Sequence, residues 1–480
     1  MLAAVVKGDL GRFSAAAKDM IGLHSSYVST LLGEVKEGID QSKEVSWVSV
    51  LELCEWAVEQ RDEEGEAQDA FDLYDNWSDT RRQIARLIGT SLRQNALPLE
   101  LHERIWDLIR ILSSDDDPSS DTEHEGMSPW DLAINSVRGE ALHSAVQYGL
   151  WLLRQNQNLE GQGFSRFPEL RELFDDHLVS DIERSLAVHS VYGQFFPWLQ
   201  LMDDQWASEN ADRIFPQEES GMGHWTAAWG AYILFCQPFA EVLRIIGRKY
   251  IAALDRLSEE EFFKNEPRVL EQLSHHIMTY CWRGDLQRLG LESLLDQFWS
   301  NAPEEVRDAA ISFVGRVMTN SDVSIPPDVA ERLQRMFDQR LADCEQHGAH
   351  ACRELGSFGW WFSAGQLDDY WLMNTLVRVV NVTNHIENER DIITRLVNVC
   401  EEWPEESANA IHVLVRGETN RWFARLAREP LLELLRRLRD MENESIRAEA
   451  MECANLLVAR GHLEFRAIAD ELSSGTTRTQ

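Results

Sequence analysis

The chain has 480 residues, of which 44% are hydrophobic, enough apolar material for a large core and too much for a disordered chain. Acidic residues outnumber basic ones by 81 to 46, a formal charge of -35 that repels nucleic-acid backbones and anionic membranes and favours a basic partner. No apolar run reaches the roughly 18 residues of a membrane span, and the first residues, MLAAVVKGDLGRFSAAAKDM, lack the pattern of a secretory signal. Seven cysteines without a CxxC pair argue against a complete disulfide framework, so a cytoplasmic protein is expected.

Residues 1–112 read as an N-terminal helical subdomain. Within it, Val50, Leu53, Trp56 and Ala57 share a helix face, and the acidic stretch RDEEGEAQD at 61–69 reads as a connector. Helices over Asn76–Leu97 and from Pro98 onward form an expected antiparallel pair. At 113–127 serine, proline and carboxylates replace apolar residues, and an acidic linker is expected there.

A central aromatic-rich domain is expected at 128–267. Its organising helix starts at Ser128, a capping residue followed by Pro129 in the first turn and Asp131 near the orphan amides. Trp130, Ile134, Val137, Ala141, Ala145, Tyr148 and Leu152 then recur at steps of three and four, predicting one long buried helix to Leu153. Pro197 and Pro216 argue against an unbroken helix over 188–216, and Pro238 marks a kink or a join. From 268 to 472 short amphipathic segments follow one another, of which EEVRDAAISFVGRVM and ESIRAEAMECANLLVARG are the nearest internal echoes. The expected fold class is all-α, an elongated HEAT-like α-solenoid, with a flexible tail at 473–480.

No phosphate-binding loop, dinucleotide fingerprint, HExxH or EF-hand loop is present, so no cofactor is expected. HSVYG at 189–193 places His189 beside Ser190 but supplies no acidic orienter, which leaves a divergent hydrolase as a minor alternative. Cys344, His347 and His350 recur at steps of three with Cys352 beyond them; Gly348 interrupts the set, and core cysteines with solvated histidines outweigh a metal site. His275 and His276 are adjacent and diverge by about 100° on a helix, poor geometry for a shared metal.

The aromatic clusters are the stronger signal. Tyr192, Phe196, Trp198, Trp206, Trp225 and Trp229 form one band and Trp360, Trp361 and Trp371 another. Such rings anchor partner proteins or fill cores, and periodic burial accounts for most of them. Arg138, Arg244 and Arg248 are the basic candidates for a recognition surface, against the alternative of intramolecular ion pairs.

NSVRG at 135–139, HSVYGQFFPWLQLMDDQW at 189–206 and WTAAWGAYILFCQPFAEVLRIIGRKY at 225–250 resemble an uncharacterised C-terminal helical region of large bacterial antiviral-defence proteins. In such proteins a helical sensor accompanies a sirtuin-like, nuclease or STAND-type NTPase module. The resemblance covers about 128–255 and transfers no catalytic residue. It implies a non-catalytic protein-recognition scaffold, the sensor part of an anti-phage system, whose partner is a phage protein or a separate effector. A constitutive assembly scaffold is the alternative.

Overall fold

The structure is a computed structural model that describes residues 2–61, 76–119, 126–155, 163–179, 183–218, 221–259, 262–347, 352–417, 425 and 427–469. Every regular element among them is helical, as the 3.6-residue periodicity requires. The connector at 62–69 and the tail at 473–480 lie outside the described residues. The chain divides into two compact units, Met1–Lys249 and Tyr250–Gln480.

The principal helices of the first unit are α1 (Ser25–Asp40), α2 (Trp47–Ala57), α3 (Trp77–Arg93), α4 (His102–Ser113), α5 (Pro129–Ile134), α6 (Val137–Gln155), α7 (Pro168–Asp176), α8 (Leu186–Met202), α9 (Asp204–Ile214) and α10 (Met222–Phe235). The next helix, α11 (Ala240–Asp255), contains the division between the units. In the first unit α1, α3, α6, α8 and α10 pack side by side in that order, and α2 and α4 pack beside them. Helices α8 and α10 run parallel: His189 meets His224, with ring centroids 4.9 Å apart, and four residues on Gly193 meets Ala228. Helix α9 is the return stroke between them.

The close approach of α8 to α10 depends on Gly193, because a β-carbon there would overlap the Ala228 carbonyl backbone. Gly193→Val is therefore expected to cost roughly 3 kcal/mol by overpacking and to lower the Tm of the first unit by about 2–4 °C per kcal/mol. Differential scanning calorimetry checks this, and a melt within 2 °C of the parent, about what a single kcal/mol moves, would refute it.

In the second unit α12 (Pro267–Arg283), α14 (Glu304–Thr319), α16 (Phe358–Ala364), α18 (Glu389–Val399) and α20 (Arg428–Arg439) form one packing succession. Helices α15 (Pro327–His347), α17 (Asp369–Thr383), α19 (Pro404–Arg416) and α21 (Glu444–Ala459) form another, while α13 (Ser293–Asn301) precedes α14 in the chain. Adjacent members of the two successions pair as α12 with α15, α16 with α17, α18 with α19 and α20 with α21. Leucine, isoleucine and valine on the facing stripes, such as Leu376, Val380, Ile411 and Leu414, are buried between them.

Two elements differ from expectation for local reasons. The organising helix is two helices, α5 and α6, broken at Asn135 and Ser136. Asn135 turns its amide onto the Asp131 carbonyl at 2.8 Å, a side-chain bond that competes with the helical backbone, and Ile134 is left 39% exposed. The start is as expected: Ser128 accepts from the Asp131 amide at 3.3 Å. The stretch 188–216 is not one unbroken helix, as expected, but the break falls at Asp203 instead of at Pro197, which lies inside α8. Proline withholds the N–H that would reach the Gly193 carbonyl, and the buried Cys236 thiol lies 3.6 Å from that oxygen and 3.1 Å from the Gln194 carbonyl. Pro238 falls in the join between α10 and α11.

Candidate functional site

The site is built on the segment expected to be a linker. Within it, residues 113–119 are folded against α3 and α6. Asp115 is buried and its Oδ2 accepts from Arg81 Nε at 2.6 Å, while its Oδ1 accepts from the Asp117 amide at 3.1 Å. Asp117 in turn accepts the Val137 amide on Oδ2 at 2.8 Å, and its carbonyl accepts the Arg138 amide at 2.8 Å. Two orphan amides at the start of α6 are thus capped by a residue twenty positions upstream, a role no local capping pattern advertises. Burial raises the Asp117 carboxyl above its ordinary range, helped by Asp115 and opposed by the Val137 bond. Asp115 and Asp117, read from sequence as part of an acidic linker, are an ion-pair member and a helix cap.

Arg138, one residue into α6, is held by three groups. Its guanidinium donates to the Asp115 carbonyl at 2.6 Å and the Pro118 carbonyl at 3.1 Å. It also faces Glu183, with Nε 3.0 Å from Oε2 and a second nitrogen donating to Oε1 at 3.2 Å. Glu183 Oε2 lies 3.0 Å from His177 Nδ1, and Oε1 accepts the Ser185 amide at 2.9 Å. Burial pushes the Glu183 carboxyl up, but the His177 bond, the Arg138 charge and the Ser185 amide outweigh it and hold the group below its ordinary range. Arg138 is therefore the keystone of a buried polar network.

That network floors a cleft of about 540 Å³. Trp106 and Arg110 line it from α4, and Glu169, Glu172 and Asp176 from α7, with Asp116 on the segment between. The spacing of 169, 172 and 176 puts the three α7 carboxylates on one helix face. Asp116, Glu169, Glu172 and Asp176 take part in no ion pair among the described residues. An aromatic wall beside four carboxylates that form no ion pair among the described residues suits a cationic side chain with an apolar stem. Only Arg138 of this set was singled out from sequence; the α7 carboxylates carried a readable helical spacing, whereas Glu183 is reached through tertiary structure.

The other candidates are dispersed. Tyr192, Phe196, Trp206, Trp225, Trp229 and Trp361 are buried at 2% exposure or less. Tyr192 donates to the Phe174 carbonyl at 2.8 Å, Trp206 Nε1 to Asp175 at 2.8 Å and Trp361 Nε1 to the Ile311 carbonyl at 2.8 Å, so the polar handles of these three are satisfied internally. Trp225 and Trp229 stack at 5.5 Å. Trp360 and Trp371 are half-buried and donate to Glu387 and Asp338 at 2.9 and 3.0 Å. Trp198 is 45% exposed. Arg244 pairs with Asp204 at 2.5 Å, and Arg248 is exposed.

The hydrolase and metal alternatives meet specific geometry. His189 is buried and its Nε2 lies 2.8 Å from the Ile214 carbonyl, while Ser190 donates to the Ala187 carbonyl at 2.7 Å; each is spent on backbone instead of on the other. Cys344 and Cys352 form a disulfide. The His347 side chain and His350 lie outside the described residues.

The fold and the cleft define an all-α protein in which no helix among the described residues is long and apolar enough to cross a membrane. No protein-family profile matches the chain, and no curated protein is significantly similar to it. A solved structure of an engineered protein from a structural genomics consortium covers 95% of this chain and 98% of its own, with 11% identity and a TM-score of 0.30. At that score the likeness carries no argument.

Proposed function

We propose that the chain is a protein-recognition scaffold whose first-unit cleft takes a basic segment of a partner protein. The observation that carries this reading is the pairing of an apolar wall at Trp106 with Asp116, Glu169, Glu172 and Asp176, carboxylates that take part in no ion pair among the described residues. The overall charge of -35 adds a long-range field that draws a basic partner and raises its rate of encounter. The setting in bacterial anti-phage sensing, and a phage protein or separate effector as the partner, rest on the resemblance over 128–255. A constitutive assembly scaffold is the second reading, favoured by exposed Trp198 and Leu201 on α8 and Phe235 at the end of α10.

The test is fluorescence anisotropy of a labelled peptide containing lysine and arginine, titrated with the full chain. Binding is expected to weaken with salt. The double variant Glu172→Lys with Asp176→Lys, both exposed positions, is expected to bind on the order of tenfold more weakly, about 1.4 kcal/mol. Equal binding by parent and double variant would remove the cleft from the proposal. Quantitative pull-downs from producing cells, with and without phage infection, then separate a triggered partner from a constant one.

A further inference from the structure

The end of α15 and the turn that opens α16 carry a second cluster. Cys344, Cys352 and Glu354 are buried at 0%, 2% and 1% exposure, and their sulfur and oxygen atoms lie within 4.8 Å of one another. Glu354 is divided in its bonding. Its Oε1 takes Arg307 Nε at 3.0 Å and two nitrogens of Arg340 at 3.1 and 2.5 Å. Its Oε2 is buried with no hydrogen-bond partner. A buried carboxylate oxygen left unsatisfied is costly, and here it lies beside two sulfurs.

We propose that reduction of the Cys344–Cys352 disulfide creates a site for a soft divalent cation of the zinc class, held by both sulfurs and by Glu354 Oε2. Two thiolates and a carboxylate are a ligand set that zinc favours. Tetrahedral bonding with zinc–sulfur distances of about 2.3 Å separates the two sulfurs by about 3.8 Å. The cysteine Cα atoms are 5.9 Å apart, so opening the sulfur–sulfur bond permits that separation with little backbone movement. Arg340 places a guanidinium nitrogen 3.9 Å from Cys352 Sγ, positive charge beside a sulfur that must be negative to bind metal. Two thiolates and one carboxylate, three negative charges, face two guanidiniums and one divalent ion, four positive charges, so the set is left with a single positive charge.

Access is provided by a cavity of about 630 Å³ lined by Cys352, Arg340, Trp299, Asp296 and Asp343. Its two carboxylates draw cations toward the sulfur, and water from the cavity completes the fourth coordination position. The chemistry closes in two steps. A dithiol reductant delivers two electrons and two protons to the disulfide and leaves as its own disulfide. The cation then displaces the two thiol protons. The oxidised and metal-bound forms exclude each other, so this is a thiol-gated metal site.

Cobalt(II) is the probe. The full chain is reduced with a phosphine, which takes its oxygen from water as each sulfur gains a proton, then desalted anaerobically and titrated. Reduced parent is expected to develop a thiolate-to-cobalt charge-transfer band that saturates at a single equivalent and is displaced by zinc; unreduced parent is expected to show none. Cys344→Ser and Cys352→Ser should each abolish the band while keeping Glu354 and its arginines. Glu354→Gln should raise the apparent Kd at least about tenfold. The five remaining cysteines, Cys54, Cys236, Cys281, Cys400 and Cys453, are buried thiols, and the serine variants control for them. Absence of a band in reduced parent with unchanged circular dichroism overturns the proposal. So does a band of parental intensity in either serine variant.

Discussion

Lowering the pH from 7 to 5 is expected to destabilise the first unit by about 4 kcal/mol, before most carboxylates begin to titrate. His143 and His189 are the cause. Burial lowers each to about 4 from an ordinary 6.5, with Arg86 reinforcing the effect on His143 and His224 that on His189. His143 lies edge-on to Phe195, ring centroids 5.0 Å apart, and its Nε2 is buried without a hydrogen-bond partner. Below pH 6.5 the unfolded chain binds these protons and the folded chain does not, so stability falls with pH until the folded groups titrate near 4. Between those limits each histidine contributes about 1.4 kcal/mol per pH unit. Chemical denaturation followed by circular dichroism at several pH values checks the slope. His143→Leu, which keeps the contact with Phe195 and removes the proton site, is expected to flatten the slope by about half; an unchanged slope would show that proton uptake lies elsewhere.

Arg138→Met is the substitution expected to cost most in stability, about 3–5 kcal/mol. It removes the guanidinium partner of buried Glu183, which keeps His177 and the Ser185 amide, and leaves the carbonyls of Asp115 and Pro118 without their donor. The depressed Glu183 group fixes the sign of a second pH effect: its contribution is present above the unfolded carboxyl range and is lost as pH falls through its lower folded value. Glu183→Gln in the parent leaves the guanidinium with its two carbonyl bonds and is expected to cost less than Arg138→Met. The double variant is expected to be more stable than Arg138→Met alone, because the uncompensated charge is gone. A double-mutant cycle on calorimetric midpoints measures the coupling. Additive losses would mean that Arg138 and Glu183 act separately, and the cleft floor would then not be a network.

The helical class was legible because it rests on local periodicity and caps. Ser128, Asn76 and Asp203 each accept an amide at the helix start their chemistry implies. The acidic stretch from 113 misled because composition reports how many carboxylates are present and nothing about their partners. Asp115 and Asp117 are satisfied by Arg81 and by the start of α6, groups brought to them only by folding. Aromatic density was visible, but a ring that fills a core and a ring that greets a partner have the same letter, and Tyr192, Trp206 and Trp361 prove to be inward. Of the cleft, Arg138 and the 169, 172 and 176 spacing were within reach of sequence. The long-range bond from Glu183 was not.

Pro197 and Cys236 also bear on how this chain can change over generations. Proline leaves a carbonyl in α8 that its own helix cannot serve, and a thiol from beyond α10 stands next to it. The two positions are thus expected to be coupled: with proline at 197, side chains at 236 that offer a hydrogen to the Gly193 and Gln194 carbonyls are favoured, and without the proline that preference weakens. Covariation of two residues 39 apart in sequence would be the historical trace of a single unfilled helical bond.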